Sequence, residues 1–182
     1  MHDRRAGAVL KRGESRRVAQ RYVALIDRTA GRIEPDDRAL EEWYSNYVRE
    51  HRQRLARDLA LIEHRLAAGA RVLECGAVPP IMTAALAELG LEIDAVDVRP
   101  ERFSSAISVL GLAVARCDIE TEVLPFDDEG FDAVLFNELF EHLRINPIFT
   151  FTEVHRVLRV GGRLVLSTPN LRSFRGLRNL LL

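Results

Sequence analysis

The chain has 182 residues, 47% of them apolar, and a formal net charge of −1. That length suits one domain with a true core and an appended segment. The N-terminus, HDRRAGAVLKRGESRR, lacks the apolar centre of a signal peptide, and no run approaches the 18 apolar residues of a membrane span, so a soluble cytoplasmic protein is expected.

The charge is unevenly spread. Residues 1–35 hold nine Lys or Arg against four acids, while residues 36–170 hold 14 against 23. The basic front reads first as the solvated face of a helix, with contact to nucleic acid or anionic lipid as the alternative, so nucleic acid is not the expected partner. Cys75 and Cys117 lie in apolar runs without CxxC or Cys/His spacing and read as small buried hydrophobes.

Residues 14–30 place Val18, Tyr22, Leu25 and Ile26 at helical spacing, with Gly31 as a closing cap. Pro35 suits a helix start, and after it Leu40, Trp43, Tyr44, Tyr47, Val48, His51, Leu55, Leu59, Ile62 and Leu66 recur every three or four residues. One long amphipathic helix follows from that stripe. Residues 1–69 thus form an N-terminal helical segment ahead of a second unit, residues 70–182.

From residue 71 the period changes. RVLEC, LEIDAVDV, LAVARCDI, FDAVLFN and GRLVLSTPN are short runs rich in Val, Leu and Ile, with helical spacers at roughly 80–89, 100–110 and 147–159. Strands alternating with helices imply right-handed βαβ units and a parallel sheet covered on both faces. The fold class is α/β: a doubly wound, mostly parallel, Rossmann-like sheet fronted by helices. Ligands of such sheets bind outside the carboxyl ends of the strands, near the switch in strand order. Those ends carry Glu74 to Gly76, Asp97, Cys117 to Asp118, Asn137 to Glu138, and Ser167 to Asn170.

The first strand end, ECGAVPP, has one glycine, Gly76, able to take the positive φ of a tight turn, where a pyrophosphate loop would need G-x-G-x-x-G. Pro80 reads as the first residue of the next helix. Asp97, at the second strand end, can accept hydrogen bonds from both ribose hydroxyls, or cap the Pro100 helix. Asp118 can reach an adenine amino group, or serve as a turn aspartate.

The series VLECG, DAVDV, CDIETEVLPFDDEGFDAVLFNELFEHL and VHRVLRVGGRLVLSTPN, over residues 70–170, resembles the class I S-adenosylmethionine-dependent methyltransferases. The resemblance implies that Glu74, Gly76 and Ala77 hold the methionine portion of S-adenosylmethionine, Asp97 and Val98 the ribose, and Asp118 with Ile119 the adenine. Asn137 and Glu138 would line the methyl-donating side. S-adenosylmethionine has no pyrophosphate, so later glycines matter less here than in a dinucleotide loop, although family members usually keep glycine where Val78 stands. The family sheet also usually adds two strands after STPN, so the expectation is that the chain is a fragment, that it lacks those strands, or that a partner supplies them; a dimer is one such arrangement.

ELFEH gathers Glu138, Glu141 and His142 at one strand-to-helix junction. Such a set could hold Mg²⁺, Mn²⁺ or Zn²⁺, but Glu-His here is widespread in metal-free relatives, so no metal is expected. His142 is the candidate general base, with Glu141 beside it, because an imidazole titrates near neutrality. His155 reads as structural. Ser104, Ser105 and Ser167 lack the setting of an activated nucleophile. Trp43, Tyr44 and Tyr47 either pack the core or close the site.

The expected activity is methyl transfer from S-adenosylmethionine to an oxygen or nitrogen of a small-molecule or saccharide-like acceptor. A non-catalytic relative that keeps the fold as an interaction module is the alternative, favoured by Val78 and Pro80. A nicotinamide-dependent oxidoreductase ranks last, because the phosphate glycines are absent.

Overall fold

The computed structural model describes residues 12–168, with side chains described from Gln20 onward. The first eleven residues and the segment from Pro169 to Leu182 lie outside the described residues, as does the side chain of Val18. The expectations placed on them, the basic arm included, fall there too.

Five strands, β1 (Arg71–Cys75), β2 (Glu92–Asp97), β3 (Ala113–Arg116), β4 (Phe131–Asn137) and β5 (Leu158–Ser167), form one sheet in the order β3-β2-β1-β4-β5. Every pairing is parallel. The order reverses between β1 and β4, which defines the switch point. Central β1 is buried from Val72 through Cys75, which is why RVLEC reads as an apolar run rather than an alternation.

Side chains of alternate strand residues point to opposite faces, and the core divides accordingly. Val72, Ala133 and Leu135 face helices α1 (Arg12–Ala30), α2 (Glu41–Arg65) and α3 (Ile81–Glu88), joined by Ala106 of α4 (Ser104–Val109). Leu73, Val134 and Phe136 face the opposite way, against Val154 and Val157 of α5 (Pro147–Val157). Leu59 and Ile62 of α2 are wholly buried. Each contributes about 1.5–3 kcal/mol of apolar burial, enough to fix α2 across one face of the sheet.

Three local expectations need correction, and the expected cap at Gly31 holds. The long helix begins at Glu41, not after Pro35, because Asp37 caps a separate 3-10 turn, Arg38–Leu40. Asp36 is drawn away to α4, where its carboxylate accepts from Ser104 Oγ at 2.7 Å. Gly31 ends α1 by donating to the Asp27 carbonyl and does so without a positive φ. Pro80 precedes α3 rather than opening it. Finally, β5 starts earlier than GRLVLS, at Leu158, and absorbs its glycines as an irregularity against β4. Gly161 has φ +79°, and a Cβ on Gly162 would lie 2.9 Å from the Arg159 carbonyl oxygen.

Candidate functional site

At the carboxyl ends of β1, β2 and β3 a cavity of about 270 Å³ opens beside the switch point. Gly76, Asp97, Val98, Asp118, Ile119 and His142 all line it, with Glu120 and Leu139 completing its wall. Gly76 sits at φ +75°, and a Cβ there would come within 3.0 Å of Leu139 Cδ1. Glycine therefore both permits the turn and keeps room for Leu139. Among the described residues the lining includes three carboxylates and no Arg or Lys. Such a pocket suits hydroxyls, amino groups and positive charge, and it repels pyrophosphate.

Asp97 performs a second task. Its Oδ1 accepts the Arg99 amide at 2.8 Å and its Oδ2 accepts the Val78 amide at 3.0 Å. The capping and ligand-facing alternatives therefore coexist: each oxygen keeps a second lone pair, and the residue lines the cavity. Burial raises its carboxyl above the usual range, opposed by these two amides. Asp118 likewise ends β3 as a turn residue, accepting the Glu120 amide at 3.1 Å while facing the cavity.

Val78 packs against the helical core and does not line the cavity, and Ala77 is buried. The β-branched side chain is thus directed away from this cavity. The neighbouring Glu74 is buried, takes a 2.6 Å hydrogen bond from Thr83 Oγ1, and has its pKa raised to about 7, mainly by burial.

A second group lies on the face beneath α2. Glu74, Asn137 and Ser167 share the strand parity of Val72, Leu135 and Val165, whose side chains join the core under α1 to α3. Asn137 and Ser167 are paired neighbours across β4 and β5. Over them, α2 supplies Tyr47, Arg54 and Asp58. Arg54 Nη1 approaches Glu138 Oε1 at 2.7 Å, both side chains largely buried, although the approach is not directed as a hydrogen bond. Glu138 turns out of β4 at φ +51° to meet it. Burial raises the carboxyls of Glu138 and Asp58 and the phenol of Tyr47, with Arg54 opposing each effect.

Among the described residues, buried atoms of this group lack hydrogen-bond partners: Asp58 Oδ2, both amide atoms of Asn137 and Ser167 Oγ. An unpartnered buried polar atom costs about 1–3 kcal/mol, so clustered ones mark a place where a polar ligand or water belongs. Arg54 and Asp58 escaped the sequence reading, which saw an apolar stripe on α2 and took Tyr47 as an aromatic that packs the core or closes the site. Their spacing from Tyr47, seven and then four residues, marks a polar strip along the same helix but not what that strip faces.

The remaining candidates separate. Tyr44 is a core residue, its hydroxyl donating to the Ala30 carbonyl at 2.9 Å. ELFEH does not converge: Glu138 turns to Arg54, His142 lines the cavity, and Glu141 is exposed. Among the described residues, no three His, Cys, Asp or Glu side chains form a group that could hold a metal. His155 is exposed on α5. Both cysteines are buried and free, Cys117 with its thiol pushed up to about 11 by burial. No described helix is long and apolar enough to cross a membrane.

A parallel sheet with a carboxylate-lined cavity at its switch point defines an α/β domain with a ligand-sized cleft and no phosphate loop. Residues 73–166, just over half of the chain, match the methyltransferase domain family, and the chain belongs to that family, the class I S-adenosylmethionine-dependent methyltransferases. An uncharacterized methyltransferase of Mycobacterium tuberculosis is 40% identical over 100 residues, which cover 55% of this chain and 40% of that protein. A ubiquinone biosynthesis O-methyltransferase of Xanthomonas oryzae pv. oryzae is 33% identical over 109 residues, 57% of this chain and 44% of that protein. The chain thus spans less than half the length of these curated relatives. In fold it is similar to a solved S-adenosylmethionine-dependent methyltransferase of Thermotoga maritima, with a TM-score of 0.62 at 23% identity over 79% of this chain and 65% of that one.

Proposed function

We propose that this chain transfers a methyl group from S-adenosylmethionine to an oxygen or nitrogen of a small polar acceptor, saccharide-like in its hydrogen bonding. The observation that carries this reading is the cavity where Gly76, Asp97, Asp118 and Ile119 meet. Its carboxylates and open glycine edge fit an adenosyl group: Asp97 would accept from the ribose hydroxyls and Asp118 from the adenine amino group. Glu74, Ala77 and Val98 would complete that grip. The cofactor supplies an activated methyl on a sulfonium, so the protein's work is alignment more than bond-making.

Asn137, Glu138, Arg54 and Ser167 would form the methyl-donating side. Their unpartnered atoms offer both donors and acceptors, which suits an acceptor rich in hydroxyl or amino groups better than an apolar ring. Water exclusion beneath α2 would strengthen each of these contacts. His142, with Glu141 next to it, would accept the acceptor's proton if the acceptor reaches the cavity's rim.

Calorimetric titration with S-adenosylhomocysteine tests the reading. Heat with a dissociation constant in the micromolar range is expected from the wild-type protein, and no heat at millimolar ligand would refute it.

A further inference from the structure

The cavity has two walls that are separate in sequence. One is Asp118, Ile119 and Glu120, after β3; the other is the segment from Leu139 to Leu143, after β4. The second wall is a short 3-10 turn, Phe140–His142, leading to α5, and nothing in its own helix is long enough to hold it.

Glu120 joins the two walls. Its Oε1 accepts the backbone amides of Arg144 at 2.7 Å, Ile145 at 2.6 Å and Asn146 at 3.3 Å. A single carboxylate oxygen thus gathers three successive amides directly after the second wall. Thr150 Oγ1 donates to the Ile119 carbonyl at 3.0 Å, fixing α5 to the same stretch. At its other end the second wall rests on Gly76, where the Leu139 side chain occupies the space a Cβ would claim. The segment 139–146 is therefore pinned at both ends, by Leu139 on Gly76 and by Glu120 on the amides, and the adenosyl cavity lies between.

We propose that Glu120 is a positioning residue for the cofactor: its carboxylate latches segment 139–146 over the adenosyl cavity and slows release. This inference rests on the methyltransferase reading. Glu120 acts through the loop amides and not on the methyl group, so its direct effect is on cofactor affinity and release.

The test compares wild-type protein with Glu120→Ala and Glu120→Gln for S-adenosylhomocysteine binding and release. The alanine variant should bind about tenfold more weakly, with release faster by a similar factor and an increased KM for S-adenosylmethionine. The glutamine variant should recover most of the affinity, because its amide oxygen accepts the same bonds. Hydrogen exchange of wild-type protein gives a readout that needs no variant: the Arg144, Ile145 and Asn146 amides should be further protected when ligand binds. Alanine and wild type with equal affinity and release, or unchanged exchange at these amides with ligand bound, would overturn the latch alone. Absence of binding by the wild type would overturn the methyltransferase reading and the latch with it.

Discussion

Glu74 is buried on central β1 and donates nothing to the hydrophobic core, so its ionisation state decides its cost. Its pKa of about 7 lies above the ordinary 4.5, mainly through burial. An acid of this kind holds its proton more tightly folded than unfolded, so its contribution is fully present below pH 4.5 and is lost as pH rises through about 7. Glu74→Gln cannot ionise and still accepts the Thr83 bond. The variant should match wild type near pH 5 and melt at a higher temperature at pH 8, with a ceiling of about 3 kcal/mol. A melting difference equal at both pH values would show that Glu74 is charged throughout. His142 poses a different question, because it lines the cavity at the switch point while the unpartnered polar atoms lie under α2. If it is the base, His142→Ala should lower kcat at least 100-fold; if it only walls the cavity, KM for S-adenosylmethionine should rise with kcat intact.

Among the elements, α2 changes most between sequence and structure. The apolar recurrence that announces the helix also fixes its buried side, as Leu55, Leu59 and Ile62 attest. Its polar side looked solvated because Arg54 and Asp58 resemble ordinary charged helix residues until the helix is laid across the ends of β4 and β5. No spacing rule in a single chain reports that crossing. Once there, Arg54 balances Glu138 and faces Asp58, and the three form a coupled set. Arg54→Met should lose about 1–3 kcal/mol in urea unfolding at pH 7, a figure reduced because neither partner is fully buried. Adding Glu138→Gln to that variant should return a good part of the loss. Strict additivity of the two substitutions would mean that the ion pair contributes nothing.

At the scale of the whole molecule, the strand runs and the parallel, doubly wound class were legible because buried parallel strands need continuous Val, Leu and Ile and alternate with helical spacers, whereas the order β3-β2-β1-β4-β5 is set by the fold alone. The strand-end carboxylates were legible for the same reason: position along a strand is enough to place Asp97 and Asp118 at one edge. The disposition of Val78 was not, since an amide bond to Asp97 and the packing of α1 to α3 decide which way its side chain turns. A sheet whose switch point carries a preformed cavity also makes a thermodynamic commitment. A ligand that binds only the folded chain stabilises it by RT ln(1 + [L]/Kd), about 2.7 kcal/mol at one hundred times Kd. For a chain of this size each kcal/mol moves the melting temperature by about 2–4 °C, so S-adenosylhomocysteine at that excess should raise it by about 5–10 °C. Nicotinamide adenine dinucleotide at equal concentration should move it by less than about 1 °C, because among the described residues the lining sets three carboxylates and no Arg or Lys against its phosphates. Equal shifts from both compounds would mean that the cavity reads only the adenosine they share, and that the carboxylates exclude nothing.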